Sequence, residues 1–227
     1  MKNEKNIFDN ILLEFHSRGI LTHLILIGSW CLTIYRTYFN NSPEVPLLRT
    51  MDLDFLLPRN INLNFQVDIP QILKEYGFDE VFSHLDGYSK FVHPEIEVEF
   101  LTPEFGRGQE KPYYIKSLNI SAQGLRYIRL IQDFNITVLY KDIPVKVPEP
   151  SAFVLLKYLI STKRKESSKK RKDLDTANLL GNFLLNNSNE RSKLKIVFNS
   201  MPKRWQSKTL TVIKSYSHDL YELLQKK

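Results

Sequence analysis

Cysteine is almost missing from this 227-residue chain, since Cys31 is the only one. An internal disulfide is therefore impossible, and a zinc cage built on several thiolates is excluded. Cys31 lies in an apolar stretch and reads as a small core residue. No apolar run approaches the ~20 residues that a membrane span requires. The opening Met1-Lys2-Asn3-Glu4-Lys5 is polar and charged with no apolar segment behind it, so a secretory signal is not expected. A reducing cytoplasm is the compartment these features suggest. The five histidines, His16, His23, His84, His93 and His218, show no ligand spacing and read as structural or exposed. No internal repeat at solenoid periods is present.

Apolar residues make up 42% and charged residues 25% of the chain, ordinary values for a globular protein with a sizeable core. The formal net charge is +7. Much of the excess lies in one run, Lys163-Arg164-Lys165 through Lys169-Lys170-Arg171-Lys172. Such a run suits an anionic partner, nucleic acid included, although charge runs in general are more often a solvated helix end or loop.

Periodicity outlines the elements. Ile7, Phe8, Ile11, Leu12 and Phe15 fall at helical spacing, with Gly19 as a stop. Leu24 to Ile27 reads as a buried strand ending at Gly28, with Ser29 as the N-cap of a helix from Trp30 to Phe39. A polar loop, Asn40 to Arg49, leads to a second strand, Met51 to Leu57. Asp68 to Tyr76 is a helix. Lys90 to His93 and Ile96 to Leu101 form a strand pair, followed by a helical stretch near Leu125 to Ile131 and extended pieces at Ile136 to Leu139 and Val145 to Val147. After Pro148-Glu149-Pro150 the pattern turns helical: Ser151 to Thr162, Asp173 to Leu185, Ser192 to Ser200 and Ser207 to Leu224. The expected fold class is α+β, a mixed sheet flanked by helices over residues 1–148, then a helical domain over 149–227.

The informative stretch is Met51-Asp52-Leu53-Asp54-Phe55-Leu56-Leu57. Strand residues two apart project from one face, so Asp52 and Asp54 sit together while Leu53 and Phe55 pack behind. Two like charges so placed repel, and burial adds a desolvation cost. A divalent cation relieves both, and hard carboxylate oxygens suit Mg2+ or Mn2+. A lone Asp-x-Asp, short and common, is more often a solvated strand end, but its surroundings here favour a site. Ile27-Gly28-Ser29 runs a strand through glycine into a helix start, where free N–H groups attract phosphate. Glu97-Val98-Glu99-Phe100-Leu101 alternates acids with apolar residues and can supply a third carboxylate, from either Glu97 or Glu99. The Thr50 hydroxyl can hydrogen-bond an acidic neighbour.

Gly28-Ser29, then Thr50-x-Asp52-Leu53-Asp54, then a hydrophobic-acid-hydrophobic strand resembles the signature of polymerase-beta-like nucleotidyltransferases. A closer likeness is to an uncharacterised bacterial group of that superfamily. Val98-Glu99-Phe100-Leu101-Thr102-Pro103 looks like its third strand. Pro148-x-Pro150-x-x-Phe153 leading to Leu156-Lys157 looks like its helix entry, and Lys172-Asp173-Leu174 with Ala177 like the helix that follows. The likeness spans roughly residues 20 to 180. The loop before Asp52 is longer than in compact members, Trp30 follows Ser29, and the third acid is glutamate.

The resemblance implies transfer of a nucleoside monophosphate from a triphosphate to an acceptor hydroxyl, with pyrophosphate leaving. Such attack needs the triphosphate charge neutralised and the nucleophile held in line, which two metals ~3.5–4 Å apart can do. On this reading Asp52 and Asp54 ligate both ions, and Glu99 helps hold one and can serve as general base. Gly28, Ser29 and Thr50 bind the nucleotide. Lys157 and Arg164, seven apart, share a helix face if that helix continues, and either can reach phosphate or remain a surface charge. Asp173 can pair with a neighbouring lysine and is given no catalytic role. Tyr113, Tyr114, Tyr127 and Tyr158 can stack on a base, or serve as core. The acceptor is open: a small molecule, a protein side chain or an RNA end.

Other Asp-x-Asp enzymes fit less well. A haloacid-dehalogenase phosphatase wants Thr where Leu56 stands, and a sugar-nucleotide glycosyltransferase wants a longer domain ahead of Asp52. The alternative from another class is the same fold without turnover, a binding module of antitoxin-like or nucleic-acid-binding kind. Retention of three acids favours the enzyme.

Overall fold

The computed structural model describes residues 6–48, 50–58, 61, 63, 65–82, 87–104 and 112–225. Met1 to Lys5, Arg49 and His84, which the sequence reading touched, lie outside the described residues. The first helix, α1 (Ile7–Ser17), is capped by Asn6, whose side chain accepts from the Asp9 amide at 2.8 Å. Its apolar stripe of Phe8, Ile11, Leu12 and Phe15 is fully buried against the sheet.

Strand β1 (Ile25–Ile27) ends in a 3-10 turn, Gly28–Trp30, that passes directly into α2 (Cys31–Tyr38). Ser29 therefore lies inside the turn and makes no capping bond, contrary to its expected N-cap role. Strand β2 (Asp52–Leu56) is followed by α3 (Ile69–Glu75), β3 (Asp79–Phe82), β4 (Ser89–Val92) and β5 (Glu97–Pro103). Then come β6 (Tyr113–Ile115), β7 (Ile120–Leu125), α4 (Arg129–Asp133), β8 (Asn135–Tyr140) and β9 (Ile143–Pro148). The helical stretch expected from Leu125 thus starts later, because Leu125 closes β7.

The main sheet runs β1-β2-β5-β4-β3, with β7 beside the end of β5 and β6 on β7. It is mixed: β2 and β7 lie parallel to β5, while β1, β4 and β3 join antiparallel. Behind β2 and β5, Phe15, Phe55, Phe91 and Phe100 pack ring to ring at centroid separations of 5.5–6.4 Å. Hairpin β8–β9 forms a separate two-stranded sheet. Its turn residues Lys141 and Asp142 both adopt positive φ, the geometry of a tight two-residue hairpin.

After Pro148 the described chain is helical: α5 (Pro150–Ser161), α6 (Ser167–Leu185), α7 (Ser188–Ser200), α8 (Lys203–Tyr216) and α9 (His218–Gln225). The last expected helix is broken in two at Ser217, which takes an extended conformation and is buried. Helix α5 is buried on nearly every side, as befits a helix that others surround. Proline at its first turn and the Glu149 carboxylate, which accepts from the Ser151 and Ala152 amides at 2.8 and 3.3 Å, fix where it starts. Tyr35 of α2 donates to the Pro148 carbonyl at 2.8 Å and meets Phe153 edge-on, which ties α5 to the sheet side. One continuous set of buried side chains runs from Phe8 to Leu224. Among the described residues no helix is long and apolar enough to cross a membrane.

Candidate functional site

Strands β2 and β5 pair with Asp52 opposite Glu97 and Asp54 opposite Glu99. With a side-chain period of two, this register puts all four acids on one face. Leu53, Phe55, Val98 and Phe100 enter the core on the other. Asp54 is also opposite Ile27 at the end of β1, so the chain reaches Gly28 right beside its carboxylate.

Gly28 has a φ of +73°, and a Cβ there would collide with the Asp54 carboxylate. Glycine is needed both for the left-handed backbone and for the close approach. Gly28→Ala is expected to cost about 1–2 kcal/mol for the backbone alone, with a further loss as Asp54 is displaced. Gly19 has a similar φ of +72° with open space around it. Thermal melts of Gly19→Ala and Gly28→Ala therefore separate strain from collision, and Gly28→Ala should be clearly the less stable.

The acids are not electrostatically equivalent. Burial, reinforced by the Glu99 and Asp52 charges, pushes the Asp54 carboxyl up to about 7, against the pull of Lys157 and Arg164. Asp52 is exposed. Its carboxylate accepts from the Thr50 hydroxyl at 3.3 Å, and the same hydroxyl accepts from Lys172 Nζ at 3.1 Å. Lys90 on β4 bridges Glu97 and Glu99, the latter at 3.2 Å. Burial opposes the Lys90 charge, but the two glutamates outweigh it and hold the ammonium above its ordinary value.

The opposite wall comes from the helical part. Lys157 Nζ contacts Asp173 Oδ1 at 2.6 Å, and Arg164 Nε contacts Asp173 Oδ2 at 2.9 Å. Lys157 and Asp173 are only 9% and 3% exposed, so this pair is shielded from water. Helix α5 stops at Ser161, so Arg164 does not extend Lys157's helix face. It lies in the connection to α6, and Asp173 gathers both cations. The basic run is divided accordingly, with Lys163 to Lys165 before α6 and Lys169 to Lys172 in its first turns.

Gly28, Ser29, Thr50, Asp52, Asp54, Glu99, Lys157 and Arg164 line one cavity of about 170 Å³, and Glu97, the other candidate for third carboxylate, is not among its lining residues. Lys90, Lys169, Lys172 and Asp173 complete it. Two of these belong to the basic run, Asp173 carries no catalytic expectation from the sequence, and Lys90 has no sequence signal beyond facing an acidic strand. Larger cavities exist, one of about 900 Å³ that shares Thr50 and one of about 620 Å³ beside Tyr113 and Tyr114. Neither of these assembles opposed charges; cavities of about 370 and 400 Å³ do, the first lined by Arg191, Lys195, Asp219 and Glu222 and the second by Arg171, Lys172 and Asp175, but neither includes the acids of β2 and β5. Tyr158 is core, and none of the four tyrosines reaches the small cavity. Cys31 is buried beneath the turn, its thiol donating to the Leu26 carbonyl at 3.3 Å.

Among the described residues no three His, Cys, Asp or Glu side chains are grouped closely enough to enclose a metal ion. The donor chemistry nonetheless suits a hard cation. Asp52 and Asp54 offer only oxygen, and burial and its acidic neighbours make Asp54 costly to ionise without a countercharge.

Residues 6–198 match a family model described as Nucleotidyltransferase, and the chain belongs to that family. Among solved structures it is similar to the crystal structure of an antigenic nucleotidyltransferase-like protein from Paracoccidioides brasiliensis. The identity is 15% and the TM-score 0.50, over 96% of this chain and 90% of that one. That likeness concerns the fold. No curated protein matches.

Proposed function

We propose that the chain is a metal-dependent nucleotidyltransferase that moves a nucleoside monophosphate from a triphosphate to an acceptor hydroxyl. The observation that carries this reading is the opposition, within one cavity, of Asp52, Asp54 and Glu99 to Lys157, Arg164, Lys169 and Lys172, beside a glycine-led turn. Strand pairing brings the acids together, and the helical part brings the cations.

Asp52 and Asp54 would hold Mg2+ or Mn2+, with Glu99 as the third carboxylate. When bound, the ion supplies charge neutralisation at the transferring phosphoryl group. The Gly28 backbone, which lacks a side chain to keep phosphate away, and Ser29 grip the β- and γ-phosphates. Lys157 and Arg164 balance the triphosphate charge, and Asp173 fixes where both cations point. Thr50 holds Asp52 in place and takes Lys172 as a second partner. Glu99 Oε accepts the proton of the acceptor hydroxyl, a role for which Glu97 is its neighbour and rival. Arg164, Lys169 and Lys172 line the cavity, and the exposed lysines and arginines around them in 163–172 suit an anionic acceptor, an RNA end among them.

The test is label transfer. The protein is incubated with Mg2+, cell extract and each α-labelled nucleoside triphosphate in turn. A labelled species is expected together with pyrophosphate, and its digestion by protease or ribonuclease assigns the acceptor class. Absence of both label and pyrophosphate for every nucleotide would leave the binding-module alternative in its place.

A further inference from the structure

Lys90 stands in the cavity on strand β4, directly opposite Glu99 in the antiparallel register, and its ammonium touches both Glu97 and Glu99. A cation of the chain's own therefore already engages the carboxylate that the proposed metal site would use third. We propose that Lys90 competes with the divalent cation for Glu99, so that it lowers the metal affinity of the cavity and leaves Asp52 and Asp54 as the entry ligands. This rests on the reading of Asp52, Asp54 and Glu99 as metal ligands.

Lys90 satisfies two carboxylates at once from the neighbouring strand, while among the described residues no ammonium contacts Asp52 or Asp54 directly: Thr50 stands between Asp52 and Lys172, and Lys157 and Arg164 are bound to Asp173. Two acids thus remain open to an incoming ion while the third is occupied. For Glu99 to turn toward an ion, it must leave Lys90, and Glu97 keeps the ammonium from being stranded when it does. The Lys90 side chain is partly exposed, so the exchange needs no rearrangement of the core. A positive charge next to the ion also repels it.

Mn2+ binding to the nucleotide-free full chain, followed by electron paramagnetic resonance, reads this without turnover. Lys90→Met is expected to bind Mn2+ about 10-fold tighter, the low end of what groups just outside a metal's ligand set contribute. Lys90→Arg, which keeps the charge, should stay near the wild type. A purely structural role for Lys90 would instead make Lys90→Met bind more weakly. Should Lys90→Met fail to fold, Lys90→Met/Glu97→Gln removes one charge of each sign, and it must bind tighter than Glu97→Gln alone. Equal or weaker binding on removal of Lys90 overturns the inference while leaving the metal site in place. Binding that survives Asp54→Asn in the wild-type background overturns the site itself, and the inference with it.

Discussion

Asp54→Asn should abolish nucleotidyl transfer while making the metal-free protein harder to unfold. Metal-assisted charge stabilisation is worth several kcal/mol, so the expected loss in kcat/KM is about 10³-fold or more. The gain in stability follows from the direction of the carboxyl shift. Burial, Glu99 and Asp52 raise the folded group from 3.8 to about 7, above its unfolded value, so ionisation opposes folding. That penalty is absent at low pH, grows between the two values and is complete above the higher one. Asparagine removes it, for a gain of at most about 4 kcal/mol, reduced because Asp54 retains some contact with solvent. Melting in EDTA at pH 8 and pH 4 checks this: the variant should exceed the wild type at pH 8, and the two should converge at pH 4. Trading stability for a strained, charged centre is the expected behaviour of a functional site.

Lys157→Met should act in the opposite way on stability. Asp173 is 3% exposed and loses its 2.6 Å partner, retaining Arg164 at 2.9 Å. Breaking a buried pair from one side costs about 3–5 kcal/mol, and the surviving arginine places this case near the lower figure. Lys157→Met/Asp173→Asn removes both charges and should recover most of the loss, which denaturant unfolding will show. Triphosphate affinity should stay low in both variants, because Lys157 is the best-buried cation of the cavity. Recovery of binding along with stability would mean that Lys157 serves the fold alone.

Much of this was legible in the chain. The Asp52-Leu53-Asp54-Phe55 alternation fixed a strand and a face, because an apolar core and a charged site cannot share one side. Helix α5 announced itself through the Pro148-Glu149-Pro150 punctuation and an apolar run, Ala152 to Ile160, that only Lys157 interrupts. What escaped has physical reasons. Strand β3 is exposed at all four positions, so no alternation marks it. The tight turn at Lys141-Asp142 lacks the usual Asn-Gly pair. Helix α6 begins ahead of Asp173 because its first turns are solvated lysines with no apolar period. Lys90 was missed because strand register, which is non-local, brings it to the cavity, and the lysine that Asp173 pairs with is Lys157, supplied by helix packing rather than by the adjacent basic run. Ser29 misled because Gly28, at positive φ, turns the chain before a helix can be capped there.

The central claim is that Asp52 and Asp54 form a cation-dependent triphosphate site. Calorimetric titration with a non-hydrolysable analogue of each nucleoside triphosphate tests it, on the wild type and on Asp52→Ala/Asp54→Ala, in Mg2+ and in EDTA. Binding of at least one analogue is predicted for the wild type in Mg2+, with none in EDTA or in the double variant. Equal affinity in all conditions, or no binding in any, would contradict the account.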